Sequence, residues 1–252
     1  MKKIMLTLVV LFTIVSLNAQ TTYLKYEYMK QLPGQDYEKL EQSWINYHNE
    51  LIKAGVINMH RIWKVLPGNN VDYDYIVSTS YNSYADALGI GKKISIDDFK
   101  AKYPEDYKVM VSSTLSTRTM VKDLIFKVEL GLDNPDFKVV PGQTILNLIQ
   151  VKSKSDKYSD AEIKFSKKWH QNMIDNKRKD AFYLSHVLGS NVTDAEFTHI
   201  ISHIYKNIDQ YSNPTTANMK FTPEEQTEIN QLVSYRDLKK SLMLINVMNI
   251  QK

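Results

Sequence analysis

Between Tyr23 and Lys30 apolar and polar residues alternate along a β-prone run, and beyond the Leu32-Pro33-Gly34 turn the period changes. Leu40, Trp44, Tyr47, Leu51 and Ile52 then recur at three-to-four spacing, the apolar stripe of a helix lying on a sheet. The pattern predicts a strand over 23–30 and a helix over 37–53, with Gly55 as its C-terminal cap. Two more strands, 57–66 and 73–81, flank Pro67-Gly68-Asn69-Asn70, a turn cluster suited to a hairpin. A helical region over 96–115 and a strand near 122–130 follow. The order then repeats: strand 145–152, helix 160–176, strands 182–188 and 196–205, helix 223–233 and strand 241–249.

The repetition extends to individual residues. His48 and His170 lie 122 positions apart, and the same offset superposes Leu24 on Leu146, Lys30 on Lys152, Ile52 on Ile174, Val65-Leu66 on Val187-Leu188 and Ser80 on Ser202. Conservative pairs at that offset, such as Tyr47 with Trp169 and Tyr75 with Phe197, carry the duplication further. Each half reads β-α-β-β-α-β, the ferredoxin-like plan. The expected organisation is α+β: one repeat over 20–132, a connector over 133–144 and a second repeat over 145–252. Two such sheets can face one another with their helices outside, enclosing a central space.

This duplicated plan resembles the dimeric α+β barrel superfamily, in which two ferredoxin-like units, from separate chains or fused in one, form a barrel. The resemblance covers most of the chain and rests on element order, so it transfers no individual site residue. Membership implies small monooxygenases, haem-handling proteins, peroxidases and stress-response proteins as relatives, and hence a pocket rather than a particular reaction.

Residues 1–19 change the picture of where the chain acts. Lys2-Lys3, an apolar run to Leu17 and the small-residue site Leu17-Asn18-Ala19 make a secretory signal pattern, too short to be read as a membrane anchor. The expected location is periplasmic or secreted, with no membrane attachment after cleavage. The chain has no cysteine, which excludes disulfides, thiolate metal sites and a cysteine nucleophile. Removing the leader leaves 30 basic against 28 acidic residues, interspersed, so no nucleic-acid partner is expected. Oligomeric state is open.

Candidate chemistry is sparse. Gly89-x-Gly91 lacks the spacing of a phosphate loop, no nucleophile elbow occurs, and Asp72 and Asp74 lack the later ligands of a calcium loop. His199-x-x-x-His203 would share a face on a helix with metal-ligand spacing, but on a strand the two lie roughly 13 Å apart. The duplication favours the strand, and no metal is expected. On that strand Phe197, His199, Ile201 and His203 share a face and match Tyr75, Val77, Thr79 and Tyr81, while Ile76, Ser78, Ser80, Ile200 and Ser202 take the other.

Placing the small and aliphatic set under the helices turns the aromatic and histidine set toward the central space. The same logic adds Arg61, Trp63 and Tyr183 from neighbouring strands. The expected ligand-binding residues are therefore Arg61, Trp63, Tyr75, Tyr81, Tyr183, His199 and His203, lining a cavity for a small aromatic or amphipathic molecule. A dry, interdigitated core is the alternative, and so is a cavity-free protein-interaction module. An oxygenase-type enzyme, cofactor-independent or haem-using, is the catalytic rival, with no cofactor as the leading expectation and haem as the alternative. His48 and His170 are read as half-buried histidines bonded to backbone, and Arg118 and Arg236 as surface or capping arginines.

Overall fold

A computed structural model describes residues 21–190, 196–213 and 221–252. The signal-like segment 1–19 and the Asn191-Val192-Thr193 glycosylation sequon lie outside the described residues. The first half contains β1 (Tyr23–Gln31), α1 (Tyr37–Lys53), β2 (Ile57–Val65), β3 (Tyr75–Tyr81), α2 (Tyr84–Ala87), α3 (Ile96–Lys102), α4 (Pro104–Thr117) and β4 (Arg118–Asp133). The second contains β5 (Ile145–Ser153), α5 (Tyr158–Asp175), β6 (Ala181–Ser190), β7 (His199–Tyr205), α6 (Ile208–Ser212), α7 (Pro223–Ser234) and β8 (Arg236–Gln251). No helix among the described residues is long and apolar enough to cross a membrane.

Local chemistry explains the boundaries. Asp36 caps α1 by accepting from the Lys39 N–H at 2.9 Å, and Gly55, at φ +68°, ends that helix in the left-handed conformation. The same position after α5 is taken by Lys177 at φ 56°, so the duplication keeps the backbone turn while exchanging glycine for a residue that fits it less well. The single helix expected over 96–115 is two, because Pro104 lacks the N–H that α3 would need to continue and instead starts α4. His199 and His203 lie on a strand, settled by pairing of β7 with β5 and β6 on either side.

The strands close into a barrel in the order β1-β3-β2-β8-β5-β7-β6-β4. Each half contributes a four-stranded antiparallel sheet in the order 4-1-3-2, and the 16-residue strands β4 and β8 form the seams. β4 pairs with β1 in its own half and β6 in the other, while β8 pairs with β5 and β2. Closure leaves no free sheet edge, which removes the usual site of edge-to-edge association.

Strands carry an inner face turned to the barrel core and an outer face on which the helices lie over part of the length. The barrel interior holds Tyr26, Tyr28, Trp63, Ile76, Leu124, Phe126, Leu146, Leu148, Ile200, Ile204, Leu242 and Leu244 as one core. The outer face of the first half packs Met29, Ile62, Tyr75 and Val77 against Tyr37 and Leu40 of α1, and in the second half Val151, Phe182, Leu184 and Ile201 pack against Tyr158 of α5 and Leu232 of α7.

This reverses the face expected for β3 and β7. Tyr75, Tyr81, His199 and His203 lie on the helix side, and Ser78, Ser80 and Ser202 point inward. Large flat side chains are needed to fill the gap between a sheet and the helices laid on it. The interior of an eight-stranded barrel is narrow and mixes large with small residues, so serines on β3 and β7 make room for Trp63 and Tyr26 from adjoining strands.

Candidate site inside the barrel

The serines leave a cavity of about 770 Å³ at one end of the barrel. Tyr26 on β1, Trp63 on β2, Leu146 on β5, Ile204 on β7 and Tyr183 on β6 supply its apolar and aromatic walls. Its polar groups include Thr21, Thr22, Arg61, Ser78, Ser80, Lys127, Glu129, Asp133 and Ser202. Of the expected site residues, Arg61, Trp63 and Tyr183 meet here, and the four on the outer face do not.

Most of these polar groups hold one another in place. Trp63 Nε1 donates to Ser78 Oγ at 3.0 Å, and the Tyr26 hydroxyl lies beside Ser202. Arg61 Nε donates to Asn249 Oδ1 at 2.9 Å, and its Nη2 to Gln251 Oε1 at 2.8 Å, both from β8. These partners are neutral amides, so they orient the guanidinium without adding a counter-charge, and Asp133 is the acid that attracts it. The Tyr183 hydroxyl donates to Asp133 Oδ1. Asp133 is exposed at the end of β4, but partial desolvation raises its carboxyl above the ordinary range, against the opposing pull of Tyr183 and Arg61. Burial likewise raises the Tyr183 and Tyr26 hydroxyls, so both stay protonated donors at neutral pH. Gly131 faces the Tyr183 ring, which would lie 3.2 Å from an added Cβ, so this glycine leaves the space the ring occupies.

Tyr26, Asp133, Ser78, Ser80 and Ser202 were missing from the sequence-derived site. The repeated pair Ser80 and Ser202 was the available signal: small polar residues at one offset within otherwise apolar strands. Asp133 was assigned to the connector, whereas β4 runs through it.

All six histidines lie on the helix side. His48 of α1 stacks on His60 of β2 with ring centroids 3.5 Å apart, and His60 Nδ1 is 3.0 Å from Thr79 Oγ1. His170 of α5 stacks on Phe182 at 3.9 Å, and the buried Lys179 Nζ donates to His170 Nδ1 at 2.9 Å and His203 Nδ1 at 2.6 Å. The repeated histidines thus contact rings and a lysine rather than backbone. His186 and His199 are cross-strand neighbours stacked at 4.7 Å.

Burial depresses His48 to about 3 and His199 to about 4 and lowers His60, His170 and His203 as well, so these five imidazoles are neutral at physiological pH. The arginines also differ from expectation. Arg236 donates to the buried Glu162, and Arg118 lies 3.8 Å from the buried Glu41 beneath α1. Both are structural ion pairs, drawn inward by carboxylates at corresponding places on the two helices.

Comparison with known proteins places this architecture among solved folds without assigning an activity. No protein-family model matches the chain, and no curated protein matches it. Among solved structures it is similar to a candidate monooxygenase of Fusobacterium nucleatum, with a TM-score of 0.61 and 11% identity over 92% of this chain and 94% of that one. An anthrone oxidase-like protein gives 0.54 and 9% over 92% and 93%, and a haem-binding protein of Thermus thermophilus gives 0.50 and 9% over 90% and 91%. At such identities the likeness is one of fold. The chain has the dimeric α+β barrel fold, with both ferredoxin-like units in one polypeptide.

Proposed function

We propose that this protein binds a small aromatic or amphipathic molecule inside its barrel. The observation that carries the reading is the cavity of about 770 Å³ with aromatic walls and Arg61, Asp133 and Tyr183 among the polar groups of its mixed lining. That volume falls in the range of small-molecule sites, which pair apolar walls with a handful of orienting polar groups. Arg61 would take an anionic or phenolic oxygen of the ligand, Tyr183 and Asp133 would fix its orientation, and Trp63 and Tyr26 would stack against its body. The signal-like residues 1–19 support export, so the ligand would be met outside the cytoplasm.

Anilinonaphthalene sulfonate, an aromatic anion that fits this space, is the probe of choice. We expect it to bind with one-to-one stoichiometry and enhanced fluorescence. Arg61→Leu should weaken its binding at least tenfold, the scale of one charge-assisted hydrogen bond. Tyr75→Phe, on the outer face, should leave binding unchanged. Near-UV circular dichroism separates a lost contact from a loosened fold, and equal affinity for Arg61→Leu and the parent in a folded sample would refute the assignment.

A second reading, a cofactor-independent oxygenase acting in the same cavity, is favoured by Asp133. A carboxylate of raised basicity at the exposed end of β4, tied to Tyr183 and lining the cavity, is equipped to remove a proton from a bound carbon acid and make it electron-rich enough to react with oxygen. The likeness to an anthrone oxidase-like protein suggests anthrone as the assay compound. Oxygen uptake with anthrone should fall about 100-fold or more in Asp133→Asn. Uptake that is absent in the parent, or unchanged in the variant, would leave only the binding function.

Haem is the alternative cofactor that the fold's relatives suggest. The cavity lining contains no histidine, so a porphyrin inside the barrel would find no imidazole ligand. The imidazoles of the second half lie instead under α5, where His170, Phe182 and His203 are packed in ring contact. This donor arrangement does not fit haem in the barrel.

A further inference from the structure

Beyond the barrel cavity, we propose that Glu129, His186 and His199 form a binding site for one divalent first-row transition ion at the edge between the barrel and α5. The three side chains come from adjacent strands β4, β6 and β7, and one ligand atom from each lies within 4.8 Å of the others. Glu129 Oε1 is 3.9 Å from His186 Nδ1, and its Oε2 is 3.9 Å from His199 Nε2. Two imidazoles and a carboxylate are the donor set of sites that bind zinc or ferrous iron and keep further positions open.

Three features point the same way. First, the position of Glu129 is irregular: Val128 pairs with Ser185 and Leu130 with Leu184, so Glu129 is the extra residue of a β-bulge. Bulges re-aim a side chain and recur beside functional sites. Here the bulge brings a carboxylate against two histidines, and its Oε2 is buried without a hydrogen-bond partner among the described residues.

Second, His199 is oriented as metal-bound histidines are. Its Nδ1 lies 2.8 Å from Thr198 Oγ1, which also accepts from the Ser153 N–H at 2.8 Å and donates to the Val151 carbonyl at 3.4 Å. With its own proton committed to that carbonyl, Thr198 accepts from Nδ1–H and leaves Nε2 unprotonated, 3.9 Å from Glu129 Oε2. A partner on the far ring nitrogen is the usual support of a ligating imidazole. Ser159 Oγ, 2.9 Å from Nε2, holds this nitrogen in the absence of an ion and is a further oxygen donor at hand.

Third, the set can contract. The two rings stack 18° from parallel, so ligation requires one of them to turn. His199 is buried, but the His186 side chain is 43% exposed and free to rotate toward the carboxylate. Glu129 also lines the barrel cavity, so a bound ion would sit at the border of that space. The other histidine–carboxylate group, Glu41, His48 and His60, has no comparable freedom: its rings are packed face to face at 3.5 Å and Glu41 is paired with Arg118.

The test is titration of the metal-free full-length protein, stripped with a chelator, with Co²⁺ followed by its visible absorption and with Zn²⁺ followed by calorimetry. The expected result is one equivalent bound, with ligand-field bands of a nitrogen and oxygen environment. His186→Ala and Glu129→Gln should each weaken binding at least tenfold, and Thr198→Val about tenfold through loss of the imidazole's support. His186→Ala removes an exposed ring and should keep the fold, checked by circular dichroism, whereas His48→Ala should leave affinity unchanged. Absence of binding at millimolar metal, or binding undiminished by either His186→Ala or Glu129→Gln, overturns the proposal. It does not depend on the barrel ligand, whose probe assay is read separately.

Discussion

Acidification below pH 6.5 is expected to unfold this protein cooperatively with uptake of up to five protons. On the helix side His60, His170 and His199 are buried and His48 and His203 half-buried, and desolvation lowers each below its ordinary value of 6.5. In the unfolded chain these histidines protonate near pH 6.5, while in the folded protein they stay neutral to far lower pH, His199 to about 4 and His48 to about 3. Between those limits the unfolded state holds more protons, so stability falls as pH falls.

Each such histidine contributes about 1.4 kcal/mol per pH unit, and five together approach roughly 7 kcal/mol per unit. Against a typical domain stability of about 5–15 kcal/mol, the acid midpoint should fall near pH 5. Lys179 adds an opposite limb of the same sign. Burial lowers it from 10.5 to about 7, so the unfolded chain again holds the extra proton, and stability should keep rising from pH 7 towards pH 10.5. Chemical denaturation at a series of pH values measures both limbs. Lys179→Met should flatten the alkaline rise, and a profile level between pH 4 and 6.5 would contradict the burial assigned to the histidines.

Replacing Arg236 by leucine should cost about 3–5 kcal/mol of folding free energy, the penalty for leaving a buried charge without its partner. Glu162 is buried on the inner face of α5 and accepts from Arg236 at the start of β8 and from Ser166 Oγ at 2.7 Å. Without the guanidinium, the carboxylate must take up a proton or draw water into the interface between helix and sheet. Removing both charges in Arg236→Leu with Glu162→Leu should recover most of the loss, since a well-packed apolar pair is often as stable as a buried ion pair. Urea denaturation of the two single variants and the double variant gives the coupling directly. A loss under about 1 kcal/mol for Arg236→Leu would mean that the pair is solvated in solution. The corresponding pair in the first half, Arg118 with Glu41, is longer at 3.8 Å, so Arg118→Leu should cost less.

The amino-acid pattern alone determined the order of elements, the duplication and the α+β class, because alternation and three-to-four spacing are local properties of the chain. The extents 37–53 for α1 and 145–152 for β5 lie within a residue of those observed. Local rules also explain the split of 96–115 at Pro104, a signal present in the sequence itself.

What the pattern could not decide was which face of a strand looks inward. A period of two divides β7 into His199, Ile201 and His203 against Ile200, Ser202 and Ile204, and in a closed barrel under helices both sets are covered. The choice depends on volumes summed over eight strands: Trp63 and Tyr26 need the room that Ser78 and Ser202 leave, and the flat side chains are required beneath α1 and α5. Distances between residues remote in sequence were likewise settled only by tertiary structure. Lys179 meets His170 and His203 because a loop folds back under α5, and Glu129 meets His186 and His199 because one extra residue in β4 turns its side chain. Periodicity describes positions along an element, whereas a site is made by the packing of several.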